Sequence, residues 1–183
     1  MNQKTLDLIG RRHTARQTEE AFALARAMGF DNINMDLIVG LPEETIRDVE
    51  DTLKQIEKLG PDNLTVHSLA IKRAARLKTQ QEDFSGMHME NTWETIALTA
   101  AYCQEMGLEP YYMYRQKNMA GNFENTGYAK DNAYGIYNIL IMEELESIAA
   151  LGPGSVSKVL TKEGKLVRDD NVKDVNLYIE RID

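Results

Sequence analysis

The stretch Ile33-Asn34-Met35-Asp36-Leu37-Ile38-Val39-Gly40-Leu41-Pro42 decides how the rest of the chain is read. It has the composition of a buried parallel strand running into a strand-to-helix loop. Apolar and β-branched side chains dominate, Gly40 lets the backbone turn, and Pro42, Glu43 and Glu44 are placed to open a helix. Alternation sends Ile33, Met35, Leu37 and Val39 to one side and Asn34, Asp36, Ile38 and Gly40 to the other. A carboxylate near the C-terminal end of such a strand is costly unless something pairs with it. In parallel α/β folds that end is also where ligands sit. Asp36 is therefore the leading candidate for a functional residue.

Working outward, the flanks alternate helix and strand. Asn2 to Gly10 reads as a short helix, and Thr14 is placed to cap a second one through Met28, with the apolar stripe Ala21, Leu24, Ala25, Met28. After the central strand, a helix burying Ile46, Val49, Leu53 and Ile56 stops at Gly60-Pro61. Asn63 to Ala70 is the next strand, with Thr65 and His67 on one face. This order implies right-handed crossovers and neighbouring parallel strands. Ile71 to His88 reads as a charged surface excursion. Met89 to Met106 reads as a long helix whose core stripe is Trp93, Ile96, Ala97, Ala100 and Cys103. Pro110 to Tyr114 is predicted as a strand, Met119 to Asp131 as a Gly- and Asn-rich loop, and Tyr137 to Met142 as a strand. A short helix is expected to end at Gly152-Pro153-Gly154. Val156 to Leu160 and Lys165 to Val167 pair as a hairpin across Glu163-Gly164, and the tail from Val172 is helical.

Composition excludes several classes. The 183 residues suffice for one domain or part of a larger one. A net charge of -8 without a basic stripe argues against nucleic acid as a partner. No apolar run reaches membrane-spanning length and no signal peptide opens the chain, so a membrane partner is not expected and the default location is cytoplasmic. The single cysteine excludes an internal disulfide and a self-contained thiolate cluster.

Gly10-Arg11-Arg12-His13, then Asp36-Leu37-Ile38-Val39-Gly40-Leu41-Pro42, then Pro61-Asp62-Asn63-Leu64-Thr65-Val66 give the chain a family likeness. Together with Arg115 to Tyr128 and Ala150 to Lys158, they resemble radical S-adenosylmethionine (SAM) proteins of the oxygen-independent coproporphyrinogen III oxidase (coproporphyrinogen dehydrogenase) type. The resemblance implies an α/β fold: the C-terminal half of a partial (β/α)6 TIM-like radical SAM barrel plus a C-terminal α+β extension. It assigns 1–70 to the second half of the barrel core and 71–183 to the extension. It also implies that the first half of such a barrel lies upstream of Met1.

The implied activity of the complete protein is oxidative decarboxylation of coproporphyrinogen III to protoporphyrinogen IX in haem biosynthesis, with S-adenosylmethionine and a [4Fe-4S] cluster as cofactors and a tetrapyrrole as substrate. No Cys-x3-Cys-x2-Cys loop matches here, so the cluster ligands are absent and this chain alone is expected to be inactive. Self-association or element swapping is expected of the isolated chain. Carried over from the family, the S-adenosylmethionine contacts fall on Arg11, Asp36, Ala70 and Lys158, with no catalytic or metal-ligating residue. Arg11 offers a planar fork for a carboxylate, and Asp36 can accept from ribose hydroxyls.

Each of these has a plainer role beside it. Asp36 could be one half of a structural ion pair, and Arg11 a solvated helix-end cation. His13 could bond a backbone carbonyl, and His67 could be a satisfied core histidine. Tyr111, Tyr112 and Tyr114 could line a tetrapyrrole pocket or simply express strand propensity. Glu143, Glu144 and Glu146 read as a solvated face. Close relatives act as haem chaperones and carry His-Asn-x-x-Tyr-Trp; the nearest stretch here, Glu124-Asn125-Thr126-Gly127-Tyr128-Ala129, lacks the His and the Trp, which favours the dehydrogenase-like branch.

Overall fold

Local capping rules set most of the helix boundaries. The computed structural model describes residues 1–70, 91–115 and 120–181, in two compact units, Met1–Gly135 and Ile136–Asp183. In the first unit, α1 (Gln3–Leu8) is capped by the Asn2 side chain, which accepts from the Lys4 and Thr5 amides. A reciprocal Thr14–Gln17 box opens α2 (Ala15–Ala27). β1 (Asn34–Val39) leads to α3 (Ile46–Leu59), where the Thr45 amide and hydroxyl both donate to Asp48. α3 ends at Gly60, whose left-handed backbone a glycine adopts without strain. β2 (Asn63–Ser68), α4 (Trp93–Glu105), β3 (Glu109–Tyr114), a single 3-10 turn (Ala120–Asn122) and β4 (Asn125–Ala129) complete the unit.

The sheet runs β1-β2-β4-β3. β1 and β2 are parallel, with Asp36 opposite Thr65 and Ile38 opposite His67. β4 joins β2 antiparallel, and β3 joins β4 antiparallel with a bulge between Pro110 and Tyr112. One face is apolar: Leu37, Val39, Leu64, Val66 and Tyr128 are buried with Val49, Leu53 and Ile56 of α3 and with Cys103 of α4. The parallel pair β1–β2 is as expected from the sequence, and helices cover its apolar face.

Asp62 locks the N-terminal ends of these strands. Its carboxylate accepts from the Ile33 amide at 3.0 Å, pairs with the Arg26 guanidinium, and lies 3.3 Å from the Lys130 ammonium. Its own amide donates to Ile33 O at 3.1 Å, while its carbonyl accepts from the Lys130 amide at 2.9 Å. One side chain thereby ties α2, β1, β2 and the end of β4 together.

The second unit contains α5 (Ile136–Met142), the β5–β6 hairpin (Val156–Leu160 and Leu166–Asp170) and α6 (Val175–Glu180). The predicted hairpin and the helical tail are both found. Among the described residues, no helix is long and apolar enough to cross a membrane.

Several expectations are corrected. Pro42-Glu43-Glu44 is a turn, with the Glu44 amide donating to Leu41 O at 3.2 Å and Glu43 at φ 60°; Thr45 is the true cap. On α2 the buried residue is Phe22, whereas Leu24 and Met28 are 62% and 72% exposed, because α3 and α4 cover the sheet and α2 meets it at its end. Trp93 is 75% exposed at the first turn of α4, where it contacts Phe123; Thr95, Thr99 and Cys103 form the buried stripe. Ile46 is likewise exposed at the start of α3. Residues 125–129 of the predicted loop form the strand β4 between β2 and β3. Residues 136–142 form a helix rather than a strand, and turns and an isolated bridge follow it rather than a helix ending at Gly152. A short apolar run does not separate those two states by periodicity. The predicted excursion at Ile71 to His88 lies outside the described residues.

Burial raises the Asp62 carboxyl, but the Ile33 amide and the Arg26 and Lys130 cations outweigh it and hold the group below its ordinary value. A depressed carboxyl contributes stability fully above its unfolded pKa of about 3.9, and that stability is lost as pH falls through the folded value. Asp62→Asn should therefore cost about 3 kcal/mol in urea unfolding at pH 7. Its deficit against the parent chain should shrink below about pH 4.

Candidate functional site

The second face of the sheet is polar, and strand register builds it. The pairings Asp36↔Thr65, Thr65↔Gly127 and Gly127↔Tyr112 put these residues in one row, with His67 and Tyr114 in the next. Asn34 Nδ2 donates to Asp36 Oδ1 at 2.9 Å, and the Thr65 hydroxyl donates to Asn34 Oδ1 at 3.1 Å. His67 Nε2 lies 3.6 Å from Asp36 Oδ1, and the Tyr114 hydroxyl is 3.2 Å from His67 Nδ1. The Tyr112 hydroxyl lies 3.4 Å from the Thr65 hydroxyl, and its ring stacks parallel to Tyr114 at 6.2 Å between centroids.

Asp36 sits mid-strand with its side chain 64% exposed, on the open polar face rather than in the helix-covered core. Bonding toward His67 holds its carboxyl below the usual value, against partial burial and with help from Asn34. The carboxylate is thus ionised at neutral pH and has an open side for a donor ligand. Burial pushes the Tyr112 hydroxyl above its usual range.

Beside Asp36, a cavity of about 380 Å³ opens between α1, β1 and α3. Its wall includes Arg11, His13, Asp36, Ile38 and Glu44. Arg11 is anchored through its amide to Leu6 O at 2.8 Å, and its side chain is exposed. Burial pushes the Glu44 carboxyl up, only partly offset by Thr5. A guanidinium and a carboxylate on one cavity suit a zwitterionic ligand bearing hydroxyls.

Comparison with known proteins gives this geometry a family context. Residues 1–56 match the Radical SAM superfamily. The oxygen-independent coproporphyrinogen-III oxidase-like protein HemZ of Bacillus subtilis is 41% identical over 181 residues, 98% of this chain and 36% of that protein. The chain is a relative of radical SAM proteins of the coproporphyrinogen III oxidase type. The oxygen-independent coproporphyrinogen III oxidase of Escherichia coli is 37% identical over 105 residues, 52% of this chain and 23% of that protein. The haem chaperone HemW of Haemophilus influenzae matches a shorter stretch, 34% identical over 71 residues. The solved structure of E. coli coproporphyrinogen III oxidase, described as a radical SAM enzyme, superposes on the whole chain with a TM-score of 0.67. It is 17% identical and 41% of it is covered, which establishes the shared partial-barrel fold. The chain spans about a third or less of the curated relatives it matches.

Against that family pattern, Arg11 and Asp36 border the same cavity. Ala70 follows β2, half-buried, one residue after Leu69, whose amide donates to Val39 O at 2.9 Å. Lys158 belongs to the second unit, on β5, where it bridges with Ile148 and lies 3.7 Å from Glu144 Oε1. The sequence reading missed Asn34 and Thr65 as partners of Asp36, and the reach of Tyr112 and Tyr114 across the sheet. The alternation in Tyr112-Met113-Tyr114 was the available signal, but its meaning depends on β4 lying between β3 and β2.

Gly127 makes that reach possible. A Cβ there would stand 1.9 Å from Tyr112 Cε1, so the tyrosine ring lies across β4 where a side chain would be. Gly127→Ala should therefore cost about 1–3 kcal/mol by overpacking. Combining it with Tyr112→Ala should relieve the clash, so that unfolding free energies in the double-mutant cycle depart from additivity by more than about 0.5 kcal/mol.

Proposed function

We propose that this chain supplies part of the S-adenosylmethionine site of a radical SAM protein that converts coproporphyrinogen III to protoporphyrinogen IX by oxidative decarboxylation, in haem biosynthesis. The observation that carries the reading is that Arg11 and Asp36 both line one cavity, in a chain similar to that family. The guanidinium holds the methionine carboxylate through two parallel N–H bonds. Asp36, ionised and open on one side, accepts from the ribose hydroxyls. The backbone at Ala70, beyond the end of β2, borders the adenine. Bound S-adenosylmethionine supplies the reactive adenosyl group in such proteins. The work of these residues is orientation, fixing the nucleoside so that its reactive carbon faces the substrate.

Tyr112 and Tyr114, stacked with an interplanar angle of 8°, offer a flat wall on the same face, which suits a tetrapyrrole. The [4Fe-4S] cluster does not fit this chain's own residues. A cluster of that kind is held by several thiolates, whereas the only cysteine, Cys103, is fully buried in the core with its thiol pushed up to about 12 by burial. A haem-chaperone role has less support, since Glu124 to Ala129 lacks the His and Trp of the chaperone motif and the HemW match covers 39% of this chain.

Calorimetric titration of the chain with S-adenosylmethionine tests the site. Arg11→Ala and Asp36→Asn should each weaken binding by about tenfold or more, the scale of a lost charge-assisted bond. Unchanged affinity in both variants would remove these residues from the site.

We also propose that the isolated chain self-associates, because among the described residues β1 has a strand partner on one edge only. Sedimentation velocity should show species that grow with concentration, and a single monomer at all concentrations would oppose it.

A further inference from the structure

We infer that His67 is a positioning residue for Asp36, held from behind by Tyr114, so that three strands set the direction of one carboxylate. This rests on the reading of Asp36 as the ribose-binding group and extends it to a residue that the family likeness leaves without a role. The contacts run in one line. Tyr114 on β3 reaches over β4 to within 3.2 Å of His67 Nδ1, and His67 Nε2 on β2 faces Asp36 Oδ1 on β1 at 3.6 Å. The Tyr114 ring also meets the imidazole edge-on, at 71° between planes.

The arrangement this inference requires has the tyrosine hydroxyl donating to Nδ1, which leaves the neutral imidazole's hydrogen on Nε2, on the side of the carboxylate. Asn34 donates to the same carboxylate oxygen at 2.9 Å, and the imidazole Nε2 faces it at 3.6 Å, so both groups bear on the rotation of the carboxylate. The imidazole is the less exposed member of the pair, 26% against 64%, as expected of a support standing behind a ligand-facing group. A plain core histidine would need neither the tyrosine behind it nor the carboxylate in front.

The test is titration of the full chain with S-adenosylmethionine at pH 8, for the parent and for His67→Phe, His67→Gln and Tyr114→Phe. We expect His67→Phe to weaken binding about tenfold. His67→Gln, which keeps an amide donor, should retain near-parent affinity, and Tyr114→Phe should weaken binding a few-fold. Should His67→Phe fail to fold, His67→Gln and Tyr114→Phe decide. Parent-like affinity in His67→Phe, or a loss in His67→Gln as large as in His67→Phe, would overturn this inference while leaving the Asp36 site standing. A parent chain that binds no S-adenosylmethionine would overturn the site reading, and this inference with it.

Discussion

Parallel pairing of β1 with β2, in the register that sets Asp36 opposite Thr65, is the constraint on which both halves of this molecule rest. Side chains alternate along a strand, so one register decides everything at once. It gathers Leu37, Val39, Leu64 and Val66 under α3 and α4 and leaves Asp36, Thr65 and His67 on the opposite face. A slip by one residue would drive the Asp36 carboxylate into the helix-covered layer, where nothing would pair with it. Asp62 holds that register at the strand starts. It donates its amide to Ile33 O and accepts the Ile33 amide on its carboxylate, while Arg26 and Lys130 neutralise it. The charge that fixes the fold and the charge assigned to the ligand thus sit on neighbouring strands with opposite surroundings, one enclosed by cations and the other open.

Much of this was legible in the sequence, for physical reasons that can be named. The two faces of the central strand follow from alternation alone, and the structure buries the odd-numbered face as read. Helices with a polar cap and a glycine stop were located well, as at Thr14 and at Gly60, because capping is a local interaction between residues close in sequence. Asp36 was visible as a carboxylate in an apolar strand, and Arg11 through the family likeness. What links them, the shared cavity, requires α1 to lie beside β1, which no local rule states.

The failures share one cause: they depend on neighbours distant in the chain. β4 reads as a loop because Asn125-Thr126-Gly127 has poor strand propensity. In place, it is paired on both sides, and Gly127 is required by a tyrosine from β3 rather than tolerated as a turn residue. Leu24, Met28 and Trp93 carry apolar periodicity without burial, because the packed face of a helix is set by what it meets. Thr95 and Thr99 are buried where Trp93 is not, a pattern that hydrophobicity alone inverts.

The same dependence explains why the polar face is organised from the far edge of the sheet. Among the described residues, the polar contacts of Asp36 come from β1 and β2, yet its neighbouring imidazole is met by a residue of β3, two strands away. That reach exists because β4 contributes no side chain at position 127, so Tyr112 lies flat across it and Tyr114 stacks alongside. Any change in the β3–β4 hairpin that moves Tyr112 is therefore transmitted to Tyr114, then to the imidazole and the carboxylate. A strand made of weak formers, absent from a propensity reading, is in this way the element that couples the edge of the sheet to the exposed carboxylate of Asp36.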